Sequence, residues 1–130
     1  MLLFSYGSNS PVQLRKRLGH SVKTTAAKLP GHKRVCRGWS KKWGGGVASV
    51  IRKSGNTTYG GVTPVSKRDL RTLDRFEGVH RGKYRRVQKA VRVLDKAGNW
   101  KKVLANMYVA TSRTRNKPSK AYLAAVRKDK

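Results

Sequence analysis

Leu2-Leu3-Phe4-Ser5-Tyr6-Gly7-Ser8-Asn9-Ser10-Pro11 changes character twice in a short space. The apolar and aromatic run Leu2 to Tyr6 suits a buried first strand. Gly7-Ser8-Asn9 ends it. Ser10 followed by Pro11 is the pattern of a helix N-cap with proline at the first helical position. The spacing predicts a helix over 11–18, with Val12, Leu14 and Leu18 as its apolar positions and Gly19 as its stop. A strand, a tight turn and a helix N-terminus in this order present free backbone N–H groups, which can hold an anion. The alternative is a glycine turn that only closes the strand–helix unit.

Working outward, the stretch from Ala26 to Gly38 holds a second strand. Trp43-Gly44-Gly45-Gly46 reads as a loop where the backbone turns or approaches closely. Val47 to Arg52 is a strand, Ser54-Gly55-Asn56 the turn after it, and Thr57 to Thr63 the returning arm of a hairpin. Ser66 caps a second helix, with Asp69 completing a capping box. Leu70, Leu73 and Phe76 repeat at helical spacing, and Gly78 stops the helix. Tyr84 to Leu94 and Trp100 to Ala110 are paired strands around the turn Asp95-Lys96-Ala97-Gly98-Asn99. Residues 111–117 read as a basic loop, Pro118 to Val126 as a short final helix, and 127–130 as a basic tail. The expectation is one α+β domain over residues 1–126, built on a curved or barrel-like sheet.

The chain has 130 residues and 37% hydrophobic content, enough for one modest core in which Trp39, Trp43, Trp100 and several tyrosines could take part. No stretch approaches the ~20 apolar residues of a membrane span. The opening apolar run is too short for a signal peptide and lacks a charged n-region. Cys36 is the single cysteine, so neither a disulfide nor a thiolate cluster can form within the chain. His20, His32 and His80 lack metal-ligand spacing. The expectation is a soluble cytoplasmic protein without metal or cofactor.

Carboxylates are scarce. There are 5 against 32 Lys and Arg, giving a net charge of +27. Three of them, Asp69, Asp74 and Glu77, fall close together, and Glu77 is the sole glutamate. That makes Glu77 the candidate for acid–base chemistry. A helix-surface carboxylate paired with Arg75 or Arg81 is the plainer reading. Asp69 reads as a cap and Asp74 as structural.

Several motifs then occur in order. They are Phe4-Ser5-Tyr6-Gly7-Ser8-Asn9, Trp43-Gly44-Gly45-Gly46-Val47-Ala48-Ser49-Val50, Tyr59-Gly60-Gly61-Val62, and Leu73-Asp74-Arg75-Phe76-Glu77-Gly78 followed by Gly82 and Tyr84. Tyr108 falls on a later strand, and Pro118-Ser119 with Tyr122 closes the set. Together they resemble the γ-glutamylcyclotransferase and γ-glutamylamine cyclotransferase (AIG2-like) superfamily over nearly the whole chain. The resemblance implies a mixed β-barrel with flanking helices. It implies an enzyme of lyase or acyltransferase type that releases 5-oxoproline from a small γ-glutamyl substrate. Glu77 matches the family's catalytic glutamate. Tyr6, Gly7, Ser8 and Asn9 match its substrate-binding loop, whose N–H groups would hold a carboxylate or a developing oxyanion. Tyr84 and Tyr122 would line the pocket, and Tyr108 is open between core packing and function.

The charge lies far beyond the magnitude of about 2–8 that suits a small soluble domain. It favours a polyanionic partner, nucleic acid first, through contacts without base preference. The alternative to an active enzyme is the same fold reused as a basic, nucleic-acid-associated protein of a phage, virion or ribonucleoprotein. In a viral setting the location would be the host cytoplasm.

Overall fold

The computed structural model describes residues 1–7, 9–40 and 45–111, with the backbone alone for 38–40 and 45–47. Ser8, residues 41–44, residues 112–117, the expected final helix, Tyr122 and the basic tail lie outside the described residues. Gly45 and Gly46, expected in the loop after Trp43, are strand residues, with Gly45 paired to Ser40.

Five strands close into a barrel in the order β1, β3, β2, β4, β5, and two helices lie against it. β1 (Leu2–Ser5) pairs antiparallel with β3 (Gly45–Pro64) from Leu2–Pro64 to Ser5–Gly61, and meets β5 (Trp100–Ala110) in parallel at Leu3–Asn106. It is therefore a central strand with both faces covered, which is why it reads as an unbroken apolar run. Phe4 points into the barrel with Leu29, Val50, Val62, Val91 and Met107. Leu3, on the opposite face, packs beneath the helices with Leu14, Leu70, Leu73 and Tyr108.

Both helices begin and end as their sequences direct. In α1 (Pro11–Leu18), the Ser10 hydroxyl accepts from the Gln13 N–H at 3.3 Å, and Gly19 closes the helix at φ +77°. In α2 (Lys67–Phe76), Ser66 and Asp69 form a complete capping box with two bonds of 3.0 Å. β4 (Tyr84–Leu94) and β5 form the expected hairpin from Tyr84–Ala110 to Leu94–Trp100.

Three expectations change. Val47–Arg52 and Thr57–Thr63 are not the arms of one hairpin; they are successive parts of β3. Both pair with β2 (Thr25–Ser40), as in Cys36–Ala48 and Leu29–Thr58. The Ser54-Gly55-Asn56 signal is spent on a bulge, where residues 53–56 stand against Gly31 with Gly55 at φ +82° and Gly31 at φ +70°. A glycine with positive φ serves a bulge as well as a turn. Phe76 is 55% exposed. Each step of three residues falls about 60° short of a full turn, so the third member of the series leaves the buried stripe. Finally, the core is mostly aliphatic, and Trp100 lies beneath the Lys28 ammonium, which is 4.1 Å from its ring.

The β1–β3 contact also explains Gly60. A Cβ there would lie 2.0 Å from the Ser5 carbonyl oxygen. Backbone cannot yield as a flexible side chain can, so Gly60→Ala is expected to lower stability by roughly 1–3 kcal/mol, as overpacking does. A urea unfolding midpoint equal to that of wild type would contradict this packing.

Candidate active site

Glu77 is the C-cap of α2, and its N–H still donates to the Leu73 carbonyl at 2.9 Å. Gly78 follows at φ +70° and starts a single 3-10 turn, Val79–Arg81. This abrupt change of direction leaves the Glu77 side chain facing the barrel, only 8% exposed.

Asn9 reaches it from the other side. Among the described residues Asn9 is the one non-glycine with positive φ, at 62°. Asparagine tolerates that conformation better than most residues, and the Gln13 side chain holds the Asn9 N–H at 2.6 Å. Asn9 Nδ2 donates to Glu77 Oε1 at 2.7 Å. Arg17, on the last turn of α1, donates through Nη1 to Asn9 Oδ1 at 2.7 Å and to Glu77 Oε1 at 3.2 Å. Its guanidinium also lies 5.1 Å from the Phe76 ring centre, which gives that exposed ring a role. Both bonds to the carboxylate end on Oε1, and no described residue bonds Oε2.

Among the described residues the carboxyl is thus held by one oxygen alone. Burial pushes its pKa above the ordinary glutamate range; the Arg17 charge and the bonds from Asn9 and Arg17 pull it back only in part. The expected partners Arg75 and Arg81 are replaced by Arg17.

A narrow cleft of about 20 Å³ beside Glu77 is lined by Phe4, Ser5, Tyr6, Gly7, Asn9 and the tyrosines Tyr84 and Tyr108. That is room for about one water molecule. A wider cavity of about 410 Å³ shares Ser5, Gly7 and Asn9 as a wall and continues past Pro11, Thr24 and Tyr59. Ser5 Oγ is buried without a hydrogen-bond partner among the described residues, a donor and acceptor facing the cleft. The expected residues Tyr6, Gly7, Asn9, Tyr84 and Glu77 do meet at one place. Tyr6 stacks on Phe4 and donates its hydroxyl to the Tyr108 carbonyl. The Tyr84 hydroxyl donates to the Ala48 carbonyl at 3.0 Å.

Tyr108 belongs to the packing between barrel and helices. Its hydroxyl donates to Asp74 at 2.7 Å, and burial followed by the Asp74 bond drives its pKa far above the ordinary tyrosine value. Asp74 also takes a bond of 2.9 Å from Arg86. Sequence reasoning missed Arg17 and Ser5 as site residues. Arg17 had a signal: it lies three residues beyond Leu14 and so shares the buried edge of α1.

The described residues contain no group of three or more His, Cys, Asp or Glu able to hold a metal ion, and no helix among them is long and apolar enough to cross a membrane. The chain matches the sequence model of the family described as "Gamma-glutamyl cyclotransferase, AIG2-like" over residues 3–125. It is 28% identical to mouse gamma-glutamylcyclotransferase over 126 residues, which cover 93% of the chain and 65% of the mouse protein. The human gamma-glutamylcyclotransferase is 31% identical over 83 residues, covering 64% of the chain and 42% of the human protein. The chain therefore spans less than two thirds of the length of these curated relatives. A solved structure titled "Gamma-glutamyl cyclotransferase" superposes with a TM-score of 0.84 at 27% identity, covering 99% of the chain and 77% of that structure.

A sole glutamate makes the site directly readable. In protein labelled with ¹³C-glutamate, the Glu77 carboxyl resonance is expected to titrate above the ordinary glutamate range, and Arg17→Met is expected to move it higher still. A wild-type midpoint at or below the ordinary value would contradict the site. The same shift has a sign for stability. A carboxyl whose folded pKa is raised favours the folded state most below its unfolded pKa and loses that contribution as pH rises through the folded one. In urea unfolding, wild type should therefore lose stability relative to Glu77→Gln across that interval.

Proposed function

The chain belongs to the AIG2-like gamma-glutamyl cyclotransferase family, and we propose that it is an enzyme that releases 5-oxoproline from a small γ-glutamyl amine or peptide. The observation that carries this reading is the buried carboxyl of Glu77, held at Oε1 by Asn9 and Arg17, with no described residue bonded to Oε2. In this reaction the free α-amine of a γ-glutamyl group attacks its own γ-carbonyl carbon. The new C–N bond closes a five-membered ring, and the bond to the leaving nitrogen breaks.

Glu77 Oε2 takes a proton from the attacking nitrogen and returns it to the leaving nitrogen, so the carboxylate ends as it began. A group with this duty works best with a pKa near the operating pH, and burial moves Glu77 in that direction. Asn9 and Arg17 fix the carboxyl's orientation. The N–H groups of the turn before Asn9, whose own N–H is taken by Gln13, together with the Ser5 hydroxyl, which has no partner among the described residues, would hold the substrate carboxylate or the oxyanion that forms on the γ-carbonyl oxygen. Tyr84 and Tyr122 would complete the wall. The neighbouring cavity of about 410 Å³ would receive the leaving group. The cytoplasm is the compartment proposed with this activity, in keeping with a chain that has a single cysteine.

The test is 5-oxoproline release from γ-glutamyl amino acids, γ-glutamyl-lysine and glutathione. Wild type should turn over at least one of them. Glu77→Gln, checked for folding by circular dichroism, should lose roughly 10²–10⁴-fold in kcat, as expected for loss of a general acid–base group. Turnover retained in folded Glu77→Gln would refute the role given to Glu77.

A further inference from the structure

The described carboxylates are each taken. Asp69 is bonded to His20 at 3.1 Å, Asp74 to Arg86 at 2.9 Å, Glu77 to Arg17 at 3.2 Å, and Asp95 lies 3.8 Å from Lys101. No carboxylate among the described residues remains for the other cations. Four of those cations line a slot on the side of the barrel.

The slot arises from the topology. β2 pairs with β4 at Ala27–Val93 and Lys28–Arg92, and the two strands then part, so the β2–β3 and β4–β5 hairpins splay. Between them lies a cavity of about 780 Å³, larger than either space beside Glu77. Arg37, Arg52, Arg85 and Lys89 line it, and no carboxylate among the described residues does. Val87 and Val109 give it an apolar floor continuous with the barrel core. His32 also lines it. Its Nδ1 must carry the proton, since it faces the Pro30 carbonyl at 2.9 Å, and its Nε2 is buried with no hydrogen-bond partner among the described residues. With the proton on Nδ1, the Nε2 of a neutral His32 is an acceptor, which fits a water or a donor group of a ligand and not a phosphate oxygen, so the phosphate contacts fall to the arginines and Lys89.

We infer that this slot is a second binding site, for the backbone of single-stranded nucleic acid held without base preference. Concentrated positive charge without internal counter-charge is matched by a polyanion, and phosphate contacts supply affinity without reading sequence. No Phe, Tyr or Trp among the described residues lines the slot to act as a stacking platform. What favours the single strand is its flexible backbone, which can enter a concave basic groove and lay a sugar or base edge on the valine floor, whereas a duplex offers such a slot only its outer phosphates. The slot shares no lining residue with the cleft beside Glu77, and the inference does not rest on the proposed cyclisation.

The experiment is fluorescence anisotropy with a short labelled oligothymidylate, titrated at several salt concentrations with the full chain. Arg37→Gln/Arg52→Gln/Arg85→Gln is compared with Lys23→Gln/Lys96→Gln/Lys102→Gln, which removes the same charge outside the slot. The slot variant should raise Kd by at least about tenfold and flatten the log Kd–log salt slope by about 2, the loss expected for three phosphate contacts on a single strand. The control variant should stay within about threefold of wild type, and Glu77→Gln should bind as wild type does. Should the triple slot variant fail to fold, Arg52→Glu alone, at an exposed position, is expected to weaken binding several-fold. Equal weakening by the control variant, no binding by wild type at low salt, or tighter binding of duplex DNA or inorganic polyphosphate than of the oligothymidylate would each overturn the inference.

Discussion

Two side chains from the start of the chain converge on one carboxylate oxygen of Glu77, far along the sequence. Asn9 and Arg17 both donate to Glu77 Oε1, and Arg17 also binds Asn9. This triangle ties the turn after β1 and the last turn of α1 to the end of α2. Elements on all its sides are anchored by β1, whose Leu3 lies under the helices and whose Phe4 lies in the barrel. Shift β1 by one residue and both faces would exchange their side chains, and the turn carrying Asn9 would move with them.

Burial and pairing oppose one another at Glu77. An unpaired carboxylate at such depth would neutralise itself by taking up a proton. A carboxylate paired fully to arginine would stay ionised well below neutral pH and be a weak base. Arg17 acts between these limits: it bonds one oxygen, while desolvation still holds the pKa above the ordinary value. Stranding a buried charge by removing its partner costs roughly 3–5 kcal/mol. Here proton uptake by Glu77 offers a cheaper escape, so loss of Arg17 should act on the site's titration more than on the fold. Asp74 shows the contrast. It takes bonds from both Tyr108 and Arg86 and secures packing between helix and barrel.

Much of this was legible in the sequence because the signals were local. Ser10-Pro11, Ser66 with Asp69, and Gly19 and Gly78 set the helix ends through contacts within a few residues. The β4–β5 hairpin followed from alternation around one turn. Glu77 stood out through scarcity and through its place in the Leu73–Gly78 motif. What remained hidden depended on distance. Arg17 lies on another helix, and no periodic pattern names its partner. Ser54-Gly55-Asn56 has turn chemistry, and only the presence of β2 as a longer pairing partner turns it into a bulge. The splay between β2 and β4, which creates the basic slot, is a property of closure around the whole barrel. The overall charge was visible at once, but not where the carboxylates would spend themselves.

The most direct test of the account is the pH dependence of kcat/KM for 5-oxoproline release, set beside the NMR titration of Glu77 in the same protein. The kcat/KM profile reports ionisations of the free enzyme and free substrate. If Glu77 must be ionised to accept the proton, the acidic limb should fall at the Glu77 midpoint, and Arg17→Met should carry both upward together. An acidic limb that stays in place while the Glu77 midpoint moves would contradict the assignment of Glu77 as the proton carrier.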